Sequence, residues 1–80
     1  MTVGDAVSKR LDYFLYQKKI SLYKLAKDAC IPVSTLQNLY RGHTKSPTLS
    51  LVLKITETLG VTLAEFIDDP LFSKDNLELD

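Results

Sequence analysis

Apolar residues return along this chain in five short bursts at helical spacing, and no stretch alternates in the manner of a strand. In the first burst, about Asp5 to Lys19, Val7, Leu11, Phe14 and Leu15 form one stripe. The second opens at Ser21, a residue suited to capping a helix start, and sets Leu22, Leu25, Ala26 and Ala29 on a common face. Cys30, Ile31 and Pro32 break the pattern. A third burst follows Pro32, turns Leu36 and Leu39 inward and stops at Gly42, where a left-handed terminator is expected. His43 to Pro47 then reads as a loop, because the residue before a proline avoids helical geometry. Thr48 caps a fourth helix whose inner side is Leu49, Val52, Ile55, Thr56 and Leu59, ended by Gly60. Thr62 and Glu65 have the spacing of a capping box, so a fifth helix carries Leu63, Phe66 and Ile67 as far as Pro70. The expectation is an all-α domain from 1 to 69 and an acidic tail from 70 to 80.

Composition narrows the class. Eighty residues support one core, and 45% hydrophobic with 25% charged residues is ordinary globular content. No apolar run reaches the roughly 18 residues of a membrane span, and the first ten residues lack the layout of a secretory signal, so a cytoplasmic protein without a membrane partner is expected. The single cysteine, Cys30, has no partner for a disulfide or a metal cluster and is read as a small packed residue. His43 stands alone, and no nucleophile–base pair, glycine-rich phosphate loop or paired carboxylate is present; neither an enzyme, a metal site nor a cofactor is expected. Tyr13, Phe14, Tyr16, Tyr23 and Tyr40 follow the apolar stripes and are assigned to the core or its edge rather than to a stacking platform.

Net charge is zero, which at first argues against a polyanionic partner. The average conceals a division. Residues 1–64 hold nine basic against four acidic groups, a surplus of five, and residues 65–80 hold one basic against six acidic groups, the opposite excess. A basic body is compatible with DNA on one face.

The second and third segments are short and joined by a three-residue break, so they meet steeply, the geometry that lets one helix enter a groove while the other braces it. At about 100° per residue, Ser34, Gln37, Asn38 and Arg41 point away from Leu36 and Leu39, with Tyr40 marginally inward. Amides pair with adenine, guanidinium with guanine, and serine serves bases or phosphates.

These residues resemble the Xre/Cro-type helix-turn-helix domain of phage and bacterial repressors, lambda-repressor-like in fold. The resemblance runs through Ile20 to Ala26, Ile31 to Gly42, Pro47-Thr48-Leu49 and Leu59 to Phe66, roughly residues 5 to 69. It departs from the family pattern at Leu22, commonly Gln, and at Cys30, commonly Gly. What it implies is a five-helix bundle, base contacts from Ser34, Gln37, Asn38 and Arg41 on the third helix (about 33–41), and phosphate contacts from Thr44 and Lys45, which Ser21 and Thr35 join. The end of the chain carries more apolar side chains than a small bundle easily covers, and the family places a homodimer contact on the fifth helix; Leu63, Phe66, Ile67, Leu71 and Phe72 are the expected interface. The opposing reading is that they complete the monomer's own core. The expected function is a sequence-specific regulator of transcription, a repressor that binds double-stranded DNA in the major groove. Two alternatives stay open: an antitoxin-like autoregulator that also binds a toxin, and an interaction module that has kept the fold and lost DNA, each with a protein partner.

Overall fold

A computed structural model describes residues 1–79; Asp80, the last residue of the expected tail, lies outside it. Five α-helices follow one another, α1 Val3–Lys18, α2 Leu22–Asp28, α3 Val33–Tyr40, α4 Leu49–Leu59 and α5 Leu63–Ile67, and a single 3₁₀ turn, Pro70–Phe72, comes after them. The described residues include no strand.

Every α-helix but α3 begins where a side chain can satisfy its free N–H groups. Ser21, Thr48 and Thr62 accept from Lys24, Leu51 and Glu65, and Glu65 returns the bond to the Thr62 N–H at 3.1 Å, closing the expected box. α1 starts two residues earlier than the stripe predicts, because Thr2 and Asp5 form a second box that apolar spacing cannot reveal. α5 stops at Ile67 instead of reaching Pro70; Asp69 turns out of the helix and caps the 3₁₀ turn through the Leu71 N–H.

The core gathers Val7, Leu11, Phe14 and Leu15 from α1, Leu25 and Ala26 from α2, Leu36 and Leu39 from α3, Val52, Ile55 and Leu59 from α4, and Phe66 from α5. Phe14 and Phe66 stack with centroids 5.6 Å apart, and Phe72 leans on Phe66 at 6.4 Å. Arg10, counted with the basic body, is consumed internally. Its guanidinium lies over the rings of Tyr13 and Phe14 and donates to the Phe66 and Glu65 carbonyls at 2.7 and 2.9 Å, holding the end of α5 against α1. The tail returns to the start of the chain, where the Glu78 N–H donates to the Met1 carbonyl at 2.8 Å.

Four expectations of burial are corrected, the first being Leu49, expected on the inner side of α4 and found 61% exposed. Phe66 is wholly buried, and Leu63 and Phe72 pack against the core, so the monomer absorbs much of the surface expected to face a partner; Ile67 remains exposed and Leu71 half-buried. Tyr16 is 83% and Tyr23 67% exposed, since each stands two positions, about 200°, from a buried neighbour, Phe14 or Leu25. Cys30 is exposed, not packed.

Candidate nucleic-acid interface

Cys30 makes the corner between α2 and α3. It takes a left-handed conformation, φ 56°, that a glycine would adopt without strain. Its neighbour Ile31 is buried and donates to the Ala26 carbonyl at 2.9 Å, which ties the corner back onto α2. Pro32 occupies the cap position of α3, and its carbonyl accepts from Thr35 and Leu36. The far end closes on Gly42, φ 80°, with its N–H on the Leu39 carbonyl and the His43 N–H on that of Asn38.

α3 is thus an eight-residue rod anchored by two fully buried leucines, Leu36 and Leu39. Ser34, Thr35 and Asn38 are exposed on it, Arg41 is exposed at its C-cap, and Gln37 is half-buried at the border of the face. The outward set predicted from spacing is therefore brought together, with Gln37 as its inner edge.

Thr35 and Thr44 line one open groove of about 350 Å³ with Ser46, Thr48, Ser50 and Lys54 along its polar side and Ile31, Pro32 and Leu51 as its apolar part. Five hydroxyls and an ammonium beside the outward helix form a surface suited to phosphate oxygens. The sequence alone does not place Ser46, Thr48, Ser50 and Lys54 beside Thr35 and Thr44; the Ser/Thr density of residues 44–50 is the signal it offers. Lys45 is exposed beside Thr2, Ser46 and the tail carboxylate of Glu78, which line a smaller cleft with it. Ser21 stands apart, at the α1–α2 junction with Tyr16 and Lys19. Lys24 is matched within α2 by Asp28 at 2.8 Å.

The loop is held at a fixed height. The Gly4 N–H donates to the Lys45 carbonyl at 2.8 Å, and a Cβ on Gly4 would fall 1.5 Å from the Thr44 carbonyl oxygen. Beside it, the Ser8 hydroxyl donates to the Tyr40 carbonyl, and the Tyr40 hydroxyl donates to Asp12, both at 2.6 Å. That bond to a carboxylate holds the Tyr40 pKa above its ordinary value, with desolvation adding to it. No group of three metal-ligating side chains occurs among the described residues.

A family model for the Cro/C1-type HTH DNA-binding domain matches residues 10–70, the span that contains the α2–α3 corner, α3 and the loop after it. The chain belongs to that family. This Cro/C1-type domain is also similar to a solved structure, the prophage Lp1 protein 11: TM-score 0.80 and 30% identity, over 88% of this chain and 92% of that one. No curated protein matches it. The resemblance noted from Ile20 to Phe66 and the all-helical bundle are therefore established, and the domain is a DNA-binding one of regulator type. Among the described residues no helix is long and apolar enough to cross a membrane.

Proposed function

We propose that this Cro/C1-type domain is a cytoplasmic repressor that reads a specific duplex sequence by laying α3 in the major groove. The observation that carries the reading is the exposed set Ser34, Thr35, Asn38 and Arg41, with Gln37 at its edge, on a helix fixed by two buried leucines. Ser34, Gln37, Asn38 and Arg41 take base edges; Ser21, Thr35, Thr44 and Lys45 take phosphates. A second copy pairs through α5, using Ile67 and Leu71 with the uncovered edges of Leu63 and Phe72, and two-fold symmetry sets the two recognition helices about 34 Å apart. Repression follows from occupying the site that polymerase needs.

Selection from a random duplex pool tests this. The expected result is a motif of two related half-sites, against which Gln37→Ala costs about 1–3 kcal/mol and relaxes one base position. Lys45→Ala should weaken every sequence alike. A pool that yields no enriched motif refutes the proposal.

A further inference from the structure

The bonds that seat the recognition unit come from one line of residues. Gly4, Ser8 and Asp12 are spaced four apart on α1, so they lie one above the other along about 12 Å of helix. Each holds a different part of the α3 end or of the loop after it: Gly4 the Lys45 carbonyl in the loop, Ser8 the Tyr40 carbonyl, Asp12 the Tyr40 hydroxyl. The main-chain anchors at Tyr40 and Lys45 bracket Arg41 to Thr44, the segment that includes two of the residues assigned to DNA. Leu36 and Leu39 resist withdrawal of α3 from the core, yet apolar contact is non-directional and leaves a helix free to roll or slide by fractions of an ångström. Hydrogen bonds are directional. Paired bonds from an amide or guanidinium to a base edge demand positioning within about 0.5 Å, which packing by two leucines alone does not guarantee.

We propose that the Gly4–Ser8–Asp12 line of α1, with Tyr40, is a positioning device that sets the seat of α3 against DNA and so tunes sequence discrimination from residues that touch no base. The inference rests on the assignment of α3 as the reading helix. It makes a demand that a merely structural role does not: loosening the line should degrade recognition of the right sequence and spare general attraction to the duplex.

The test uses the full chain with Tyr40→Phe, Ser8→Ala and Asp12→Ala, and with Asp12→Asn as the conservative variant that keeps an acceptor oxygen. Binding to the selected duplex and to a scrambled one is measured across a salt series, together with amide hydrogen exchange at Gly42 and His43. Each lost bond should lower affinity for the selected duplex about fivefold. Affinity for the scrambled duplex and its salt slope should stay within twofold, because phosphate contacts are retained. Exchange at Gly42 and His43 should quicken, and Asp12→Asn should behave as the parent. Equal losses on both duplexes, or no loss on either, overturn the inference. Asp12 and the Tyr40 hydroxyl lie at the surface, so their variants keep the core and serve if Ser8→Ala does not fold. Should the parent bind no duplex at all, the assignment of α3 falls; exchange at Gly42 and His43 then decides the clamp by itself, unchanged rates in Tyr40→Phe overturning it and faster rates upholding it.

Discussion

A glycine buried among side chains is conspicuous only when something occupies the place of its missing Cβ. At Gly4 that something is the Thr44 carbonyl, a backbone atom that cannot swing aside. Gly4→Ala is expected to push the 44–45 loop off α1 and cost about 3 kcal/mol, at the upper end for overpacking; urea unfolding measures it, and a loss of a few tenths would refute the contact. Cys30 presents the reverse case. Its left-handed φ costs a β-carbon-bearing residue about 1–2 kcal/mol. Part of that is returned because glycine frees the unfolded chain. Cys30→Gly should therefore raise the melting temperature modestly and Cys30→Val should lower it. The corner was legible, since Cys30 stands where the family carries glycine, but its exposure was not: a small apolar residue beside Ile31 reads as core until the chain reversal is seen to turn it outward. Gly4 gave no signal at all, because its partner is forty positions away in sequence.

Among the helices, α5 is the one that could not stand alone, for five residues barely outlast a nucleus. Its supports are the Thr62–Glu65 box, the buried Phe66 ring and the Arg10 guanidinium. Arg10→Met keeps the packed stem and removes the charged donors, so the Phe66 and Glu65 carbonyls lose their partner. A loss of about 1–2 kcal/mol is expected, with the fastest new hydrogen exchange in α5. The caps also carry a pH signature. The backbone N–H of Thr2, and then its hydroxyl, hold the Asp5 carboxyl below its usual value; Thr62 does the same for Glu65, in the same order. Folded values below unfolded ones mean that this stabilisation is complete above the ordinary carboxylate range and is lost as pH falls through the lowered values. Acid titration of stability should thus be flatter in Asp5→Asn and Glu65→Gln. Helix boundaries set by neighbours in sequence, at Ser21, Gly42, Thr48, Gly60 and Thr62, could be read in advance. The fate of Arg10 could not, since its partners lie some fifty-five positions on and only the packed bundle brings them within reach.

Over the whole molecule, formal neutrality misstates what a duplex would meet. Arg10 is turned inward and Lys24 is matched by Asp28, whereas Arg41 and Lys45 are exposed and Lys54 lines the groove with Thr35 and Thr44. The slope of log affinity against log salt should therefore fall by about one in Lys54→Ala and hardly change in Lys24→Ala. Equal effects would mean that the charges act as a diffuse field and not as contacts. The division of charge was evident in the sequence, but its local cancellations depend on side-chain pairing. The tail showed why apolar residues near an end are ambiguous: Phe66 fills the monomer, Leu63, Leu71 and Phe72 are half-buried, and Ile67 and Leu79 stay exposed. Cys30, the sole thiol of the chain, sits uncovered at the bend that leads into α3. A fluorophore coupled there would be chemically unique without removal of any other residue, and its emission would report docking of the reading helix in real time.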